Sequence, residues 1–382
     1  MALEFGKKKS RTTNMKAKNL IVGAGLSGIV LAERLANSGE EVLIIDKRDH
    51  IGGNCYDYDE NGILVHKYGS HIFHTNNEKV WKYLNQFTTF YPYMHKVLAS
   101  IEGHFAPVPF NLNTLHQIFP QTIALELENI LLNSYQYGTK ISILELKQQE
   151  KLKFLADFIY EKIFLHYTLK QWQCDPKDLD NKVFDRVPIA ISKDDRYFYD
   201  TYQGIPFDGY TAMCKNMLKS PLITIKLETD FNDIKSKITY QRLFYSGGID
   251  EFFNFKFGEL PYRSLSFDFK QLEKPYFQNN AVINYPNNYD FTRISEYKYF
   301  LDSKTNHTII SFEYPKTWKL GDERYYPVPN QHSNKIYNLY KKEADKLINT
   351  YFIGRLGTYQ YLDMDDTIET TLQLFDSLKL SN

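Results

Sequence analysis

The chain has 382 residues, which is material for about two or three domains with a substantial core. Its 46 basic and 46 acidic side chains cancel, and this balance argues against a nucleic-acid partner, because such binding depends on a surplus of lysine and arginine. No apolar run is long enough to predict a membrane span. The three cysteines form neither a CxxC pair nor an obvious disulfide frame, which favours a cytoplasmic location.

The first residues are basic and polar, without the apolar stretch that a secretory signal requires. We expect residues 1–18 to form a disordered tail or an appended remnant that precedes the fold. Within this segment we interpret Met15 as the first residue of the native chain.

Residues 19–50 show strand, helix and strand patterns in succession. The apolar run 19–22 ends in glycines, residues 29–35 carry apolar side chains at helical spacing, and residues 41–46 form a second apolar run. A unit of this kind joins two parallel strands through a crossover helix. The sequence therefore predicts an α/β fold that begins with a Rossmann-like domain.

Two later regions have different patterns. Residues 112–172 carry apolar side chains at helical spacing, as in Phe154, Phe158 and Ile159, which predicts a mostly helical insertion. Residues 260–315 alternate and are rich in tyrosine, phenylalanine, isoleucine and threonine, which predicts antiparallel strands. No repeat or low-complexity linker separates these regions, so we expect the domains to be interleaved.

A glycine-rich turn follows the first predicted strand. Residues 23–28 read GAGLSG, a GxGxxG that opens the predicted helix and precedes Asp46 at the end of the next strand. In this context Gly23 permits a tight turn, Gly25 lets the backbone approach a pyrophosphate, and Gly28 allows close packing of helix and strand. The helix N-terminus offers free N–H groups to phosphates, and Asp46 can accept hydrogen bonds from an adenosine ribose.

Both NAD and FAD are bound by units of this kind, and the segment that follows distinguishes them. Residues 50–54, HIGGN, place a second glycine pair a few residues after Asp46. Such a pair lets the chain run close to the pyrophosphate and ribityl part of a cofactor. The sequence therefore favours FAD.

A series of motifs along the chain matches one enzyme family in the family's own order. The matching segments are DKR at 46–48, HIGGN at 50–54, HKYGSHIFHT at 66–75, PFNLNT at 109–114, YTLKQW at 167–172, RVP at 186–188, YQGIP at 202–206, NAVIN at 280–284, TRI at 292–294, YYPV at 325–328, GRL at 354–356 and YQYLDM at 359–364. In these segments the chain resembles the bacterial UDP-galactopyranose mutases over about residues 19–375.

The resemblance implies three interleaved parts. We expect a Rossmann-like FAD domain, a helical domain and an antiparallel β-sheet domain. Their expected ranges are 19–90, 205–258 and 335–382 for the FAD domain, 111–175 for the helical domain, and 91–110, 176–204 and 259–334 for the sheet domain.

The resemblance also implies a reaction. It is the flavin-dependent isomerisation of UDP-galactopyranose to UDP-galactofuranose, a precursor of cell-surface polysaccharides. Reduced FAD is the expected active form, because its N5 atom attacks the anomeric carbon. The protein then has to hold the departing diphosphate, align the sugar and exclude water. An external reductant such as NAD(P)H, a nucleotide-sugar substrate and a homodimer are the expected partners.

The resemblance assigns the diphosphate clamp to Arg186 and Arg293, because guanidinium groups bind phosphate oxygens bidentately and stay charged. His71 and His74 resemble histidines beside the flavin ring, and we expect His74 to be catalytic. Their spacing does not indicate a metal site, so no metal is expected. The residues expected to bind substrate are His95, Tyr167, Thr168, Trp172, Tyr202, Asn280, Tyr326 and Tyr361. The residues expected to bind the cofactor are Gly23, Gly25, Ser27, Gly28, Asp46, Lys47, Gly53, Asn54, His71, Ile72, Phe231, Arg355, Asp363 and Met364.

The chain departs from the family pattern around the expected nucleotide and sugar sites. Ile163 stands where an aromatic residue is common, His166 replaces a glycine, and His95 replaces an asparagine. A further departure lies after Trp172, where the pair at 173–174 replaces Gly-Arg. A mutase for a dTDP- or 6-deoxy-sugar such as dTDP-fucopyranose is therefore an alternative. An amine-oxidase-type flavin oxidoreductase and a non-catalytic flavin protein are alternatives of other classes.

Overall fold

A computed structural model describes residues 15–172, 188–328 and 330–378. Five parallel strands form the sheet of the first domain, in the spatial order Ile223–Lys226, Val42–Ile45, Met15–Val22, Ile238–Tyr245 and Thr350–Phe352. All four residues of Val42–Ile45 are buried, as expected for a parallel strand covered on both faces. The helix Leu26–Asn37 follows the first strand and packs against the C-terminal helix Met364–Ser377. The predicted α/β fold with a Rossmann-like domain is confirmed.

The first strand begins earlier than the sequence indicates. Met15 to Ala17 pair with Ile238 to Tyr240, so residues 15–18 belong to the sheet rather than to a tail. The physical reason is the length of the neighbouring strand Ile238–Tyr245, which offers backbone partners to a polar segment that has no strand signal of its own. Residues 1–14 lie outside the described part of the chain.

Helices dominate the region between residues 112 and 172, as predicted. The segments are Leu112–Ile118, Gln121–Ser134, Ile143–Leu146, Lys153–Ile159 and His166–Trp172, with a 3-10 turn at Glu150–Leu152 and a π-helical stretch at Tyr160–Leu165. Asn111 caps the first of these helices by accepting a hydrogen bond from the backbone of Thr114, whose side chain bonds back to Asn111. Leu131, Leu155 and Ile159 have no exposed surface and form part of the core.

A seven-stranded sheet lies beside these helices. Its strands follow the spatial order Tyr326–Pro327, Tyr262–Leu272, Thr308–Thr317, Arg293–Glu296, Val282–Asn284, Val97–Ile101 and His104–Val108. The strands within residues 262–317 pair antiparallel, as predicted, whereas Val282–Asn284 and Val97–Ile101 run parallel, which the sequence did not indicate. The chain between these two strands builds the helices and part of the first domain, and so long a connection permits parallel pairing.

Smaller sheets and helices complete the fold. Tyr202–Pro206 pairs with Phe73–Thr75 and Phe90–Pro92 in a separate three-stranded sheet, so this strand crosses the expected domain boundary after residue 204. Two-stranded sheets join Asp57–Glu60 to Ile63–His66 and Lys140–Ile141 to Ile189–Ala190. The other segments are the helices Glu78–Leu84, Tyr210–Met217, Phe231–Ile234, Ile249–Phe252, Gln331–Ala344 and Gly354–Gly357 and the 3-10 turns Gly53–Cys55 and Tyr297–Tyr299.

One hydrophobic cluster connects the three parts. It contains Ile29 of the first helix, Leu131 and Ile159 of the helical region, and Val282 and Ile309 of the seven-stranded sheet. The three parts therefore share a core, and each is held in place by the others. No helix within the described ranges is both long and apolar enough to cross a membrane.

Candidate functional site

The glycine-rich turn connects the first strand to the first helix, and its geometry admits only glycine at two positions. A Cβ at Gly23 would lie 1.9 Å from Oγ of Ser246, and a Cβ at Gly28 would lie 2.0 Å from the carbonyl oxygen of Gly23. Gly25 precedes the helix, and no side chain caps the N–H groups of its first turn. These donors and the helix dipole form a site for anions at this turn.

The second glycine pair packs directly against the first turn. Gly53 has a φ of 58°, and a Cβ there would lie 2.8 Å from Cα of Gly25. The backbone N–H of Gly52 donates to the carbonyl of Ala24 at 2.8 Å. The two glycine segments thus form one surface that only backbone atoms line, which lets a ligand approach closely.

Asp46 holds this surface in place from the end of the second strand. Its Oδ2 accepts the backbone N–H of Ala24 at 2.7 Å, and its Oδ1 accepts that of Arg48 at 2.9 Å. Each oxygen retains lone-pair capacity, so the expected hydrogen bond to a ribose is compatible with this arrangement. Arg48 in turn donates to Asn54 at 2.9 Å and pairs with Glu323 at 2.5 Å across the cavity. The sequence did not lead us to expect Arg48 in the site, although Arg48 belongs to the basic pair that directly follows Asp46.

A cavity of about 480 Å³ lies against this surface, within the roughly 300–1,000 Å³ that is usual for ligand sites. Gly28 and Ile72 do not line it, because Gly28 faces the preceding strand and Ile72 is buried. The other residues expected to bind the cofactor do line it, and they are Gly23, Gly25, Ser27, Asp46, Lys47, Gly53, Asn54, His71, Phe231, Arg355, Asp363 and Met364. The glycine surface, the open helix N-terminus and the acidic Asp46 fit a dinucleotide such as FAD.

His71 lines the cavity as a neutral ring. Burial lowers its pKa to about 4. Its Nδ1 donates to the carbonyl of Gly69 at 2.7 Å, and its backbone N–H donates to Nδ1 of His66 at 3.0 Å. The proton on Nδ1 leaves Nε2 as an acceptor, so His71 can receive but not donate a hydrogen bond through that atom.

The chain returns to the cavity near its C-terminus, where Arg355 organises two tyrosines. Its guanidinium donates to the carbonyl of Leu362 at 2.5 Å and to that of Tyr325 at 3.0 Å. The same group lies 5.4 Å from the ring of Tyr326 and 4.9 Å from the ring of Tyr361, and these rings stack 5.2 Å apart. Arg355 therefore joins the cavity to the tyrosine pair.

A partly buried cation lies beside the tyrosine pair. Arg293 donates through Nη2 to the hydroxyl of Tyr167 at 2.5 Å, and its Nε lies 3.3 Å from Oε1 of Glu313. Burial opposes the charge, but the carboxylate of Glu313 and the hydroxyls of Tyr167 and Tyr326 keep the pKa of Arg293 well above its usual value. Burial also raises the pKa of Tyr167 to about 12. A guanidinium and hydroxyl donors thus converge next to the cavity, which suits a diphosphate.

Glu313 was missed by the sequence analysis. It lies in none of the matched motifs and reaches the site because its strand pairs with the strand of Arg293, where the two residues are direct partners. Thr292 donates to its Oε1 at 3.3 Å. Glu313 could have been found only from the antiparallel register of the two strands, and a single sequence does not reveal that register.

The structure brings some of the other expected substrate residues towards this cluster. Thr168 is buried on the helix that carries Tyr167. His95 is buried, its Nδ1 has no hydrogen-bond partner within the described part of the chain, and burial lowers its pKa to about 3. The charges of Arg293 and His74 lower that pKa further, so His95 is neutral and lies near both. Trp172 ends the same helix as Thr168. Arg186 lies outside the described residues.

Other expected residues are engaged elsewhere. Both amide hydrogens of Asn280 bond to backbone carbonyls, those of Lys96 at 2.9 Å and Val282 at 2.8 Å, so this side chain joins two strands. Tyr202 stacks on Trp81 with the ring centres 5.2 Å apart.

His74 and Ile163 are also held by neighbouring protein groups. His74 places Nδ1 2.9 Å from Oδ2 of Asp200 and stacks on Phe198 at 3.6 Å, and it does not line the cavity. Ile163, at the expected base-stacking position, belongs to the hydrophobic core.

The Rossmann-like turn, the cavity and the adjoining arginine and tyrosines define a dinucleotide-dependent enzyme. Residues 21–87 match the family model of an NAD(P)-binding Rossmann-like domain, and residues 162–361 match that of UDP-galactopyranose mutase. The chain is 38% identical to a probable UDP-galactopyranose mutase of Klebsiella pneumoniae, with 95% of each chain covered. It is also 38% identical to a dTDP-fucopyranose mutase of Escherichia coli, over 93% of this chain and 97% of that one.

A crystal structure of a reduced UDP-galactopyranose mutase has the same fold, with a TM-score of 0.71 and 16% identity over 94% of this chain and 93% of that one. The chain belongs to the UDP-galactopyranose mutase family and is an isomerase of that family. The resemblance found in the sequence is therefore confirmed. Family membership favours a pyranose-to-furanose mutase over an amine-oxidase-type oxidoreductase.

We expect Gly53→Ala to release the cofactor. The added Cβ would displace the turn at Gly25, whereas Gly39→Ala has a comparable positive φ of 83° but meets no atom within 4 Å. Both variants carry left-handed strain of about 1–2 kcal/mol, so only the displacement of the turn distinguishes them. The measurement is the ratio of flavin to protein after purification, with the flavin identified after denaturation. A full flavin content in Gly53→Ala, or FMN instead of FAD in the wild type, would contradict the assignment of this cavity.

Proposed function

We propose that the chain interconverts the pyranose and furanose forms of a nucleotide-activated galactose-type sugar, with FAD in its reduced form as cofactor. UDP-galactopyranose is the first candidate substrate. The observation that carries the proposal is the partly buried guanidinium of Arg293, which lies with the hydroxyl of Tyr167 beside a cavity suited to a dinucleotide. An amine or alcohol substrate has no use for such a cluster, whereas a nucleoside diphosphate leaving group requires one.

When bound and reduced, FAD supplies a nucleophilic N5 for the anomeric carbon, and the residues of the chain perform the remaining tasks. The glycine surface and Asp46 orient the cofactor along the first helix. His71 is neutral and lines the cavity, so it adds an acceptor without adding a charge. Arg355 keeps Tyr326 and Tyr361 stacked at the boundary between cofactor and substrate.

The leaving diphosphate is the group whose charge grows during the reaction. Arg293 alone cannot balance it, because Glu313 already offsets the positive charge of that guanidinium. We infer that Glu313 orients Arg293 and that a second cation, Arg186, completes the clamp. Hydroxyls of Tyr167 and Tyr326 add neutral donors, since burial keeps both phenols protonated. Fixed donors in a buried site stabilise such a charge more strongly than water does.

A dTDP-sugar is the second candidate substrate, and two observations favour it. The chain is equally similar to a UDP-galactopyranose mutase and to a dTDP-fucopyranose mutase, at 38% identity each. His95, which departs from the family pattern, is buried with an unpaired Nδ1, close enough to Arg293 for that charge to lower its pKa. Its larger ring occupies space that a sugar substituent would otherwise take, which suits a 6-deoxy sugar.

The proposal is tested by anaerobic incubation of the protein with UDP-galactofuranose or dTDP-fucofuranose, followed by chromatography of the products. We expect conversion to the pyranose form after reduction with dithionite and essentially none with oxidised protein, since only reduced flavin has a nucleophilic N5. Reductant should not be consumed in proportion to product. Equal activity of the oxidised and reduced protein would refute a role for reduced flavin, and stoichiometric oxidation of substrate would identify an oxidoreductase.

Arg293→Ala should lower kcat by roughly a hundredfold, because loss of one preorganised donor costs about 3 kcal/mol in the transition state. Flavin content should stay normal, since Arg293 does not line the cofactor cavity. The measurement is steady-state turnover with the flavin-normalised enzyme. Arg186→Ala is expected to act in the same direction.

The removal of Arg293 also leaves Glu313 buried without its cation, which can destabilise the protein by about 3–5 kcal/mol. The double variant Arg293→Ala with Glu313→Gln separates the two effects, because it removes both charges. We expect it to recover thermal stability but not turnover. Arg242→Ala is the control, since it breaks an arginine–glutamate pair, with Glu40, outside the cavity. Normal turnover in the double variant would show that Arg293 has a structural role and does not contribute to turnover.

His95→Asn should shift substrate preference towards UDP-galactopyranose. The smaller amide vacates space, and one misplaced group in a binding pocket changes discrimination by roughly 10–200-fold. The measurement is the ratio of kcat/KM values for UDP-galactopyranose and dTDP-fucopyranose in wild type and variant. We expect the wild type to convert both sugar nucleotides. In the variant the ratio of kcat/KM values should change by about tenfold or more. An unchanged ratio would show that His95 does not select the sugar.

A further inference from the structure

Lys170 makes an unusual set of contacts one helical turn after Tyr167. Its ammonium donates to three backbone carbonyls, those of Tyr285 at 2.5 Å, Tyr289 at 2.9 Å and Phe291 at 3.2 Å. An ammonium group has three donor hydrogens, so the three carbonyls match its full capacity. The side chain is half-buried, and no carboxylate is within ion-pairing distance of it among the described residues.

The carbonyls belong to a loop that leads directly to Arg293. Residues 285–291 connect the strand Val282–Asn284 to the strand Arg293–Glu296. The rings of Tyr285, Tyr289 and Phe291 pack on one another at centre distances of 5.0–5.2 Å. The loop therefore has a compact shape, in which its carbonyls turn towards one point and Lys170 occupies that point.

Two other hydrogen bonds join the same chain segment to the sheet region. Nε of Arg263 donates to the carbonyl of Gln171 at 2.8 Å, and Nδ2 of Asn287 donates to the carbonyl of Lys162 at 2.9 Å. The helix His166–Trp172 follows the π-helical stretch Tyr160–Leu165. π-helical turns are rare and occur frequently at functional sites.

We propose that Lys170 is the positioning residue that locks the helix His166–Trp172 onto the loop 285–291, and thereby holds the hydroxyl of Tyr167 against Arg293 for nucleotide binding. The contact joins the helix that carries Tyr167 to the loop that precedes Arg293. Tyr167 lies three residues before Lys170, and Arg293 lies two residues after the end of the loop. This inference rests on the proposed function, because the bound group is taken to be a nucleoside diphosphate.

The charge of Lys170 is needed for this arrangement. Burial lowers its pKa to about 8, which reflects the cost of removing an ammonium from water. At neutral pH the side chain is still mostly cationic, and the three carbonyl dipoles offset that cost. A methionine would leave the three loop carbonyls without this ammonium donor, whereas an arginine would keep a positive charge and several N–H donors at the same position.

The test uses three variants of the FAD-loaded full chain. Lys170→Met removes the ammonium group and keeps the rest of the unbranched side chain, and Lys170→Arg keeps the charge. Lys162→Met is the matched control, because Lys162 lies on the same segment but pairs only with the exposed carboxylates of Glu102 and Glu161. The measurements are hydrogen–deuterium exchange of residues 160–172 in the ligand-free protein and the Kd for UDP and for dTDP.

We expect Lys170→Met to speed exchange in this segment and to raise the Kd roughly tenfold, the effect of losing one charge-assisted hydrogen bond at the site. KM for the sugar nucleotide should rise by more than kcat falls. The Kd of Lys170→Arg should stay within about threefold of the wild-type value, because the arginine restores a charge-assisted contact. Lys162→Met should match the wild type in exchange, Kd and kinetics.

Unchanged exchange and affinity in Lys170→Met would overturn the inference, as would an arginine variant as impaired as the methionine variant. If the wild type binds neither UDP nor dTDP, the proposed function is wrong. In that case faster exchange in Lys170→Met still supports the anchoring role, and unchanged exchange still refutes it.

Discussion

The contact between the two glycine segments is the constraint on which the site depends. Gly53 approaches Cα of Gly25 so closely that a single methyl group would separate them. The carboxylate of Asp46 bonds to the backbone on both sides of this contact and keeps the turn in register with the second strand. The glycine surface of the cavity and the open N-terminus of the first helix both follow from this arrangement. Because the contact is made by backbone atoms, side-chain variation elsewhere can alter the substrate without disturbing the cofactor site.

The second requirement is a partly buried positive charge next to that cavity. The side chain of Arg293 is 28% exposed, and an unpaired guanidinium there would be costly. Glu313 removes much of this cost and directs the guanidinium, while Tyr167 occupies Nη2. The pair is neutral as a unit, so in the proposed function a second residue supplies the excess positive charge for a diphosphate. Because Arg293 depends on its neighbours, the proposed positioning role of Lys170 bears directly on binding.

The family assignment leaves the choice of sugar to a few side chains. Two relatives with different substrates are equally similar to the chain, so overall identity does not distinguish between them. In the proposed function the cofactor surface binds FAD, and the Arg293 cluster faces the diphosphate that both nucleotide sugars carry. His95 lies near the cluster and differs from the family pattern, whereas Ile163, which also differs, is part of the core. Of these two positions, His95 is therefore the one at which we propose a difference in sugar specificity.

The sequence by itself determined the features that depend on short stretches of chain. The GxGxxG turn, the second glycine pair and the helical periodicity of residues 112–172 each require only local spacing, and the matched motifs were sufficient to name the family. Tertiary structure alone decided the features that join distant segments. Glu313 meets Arg293 through strand register, Lys170 reaches carbonyls 115 to 121 residues away, and the strand Val282–Asn284 runs parallel to Val97–Ile101. Strand register and carbonyl orientation depend on how whole elements pack, and backbone carbonyls carry no residue identity, so no pattern in one sequence could have predicted these contacts.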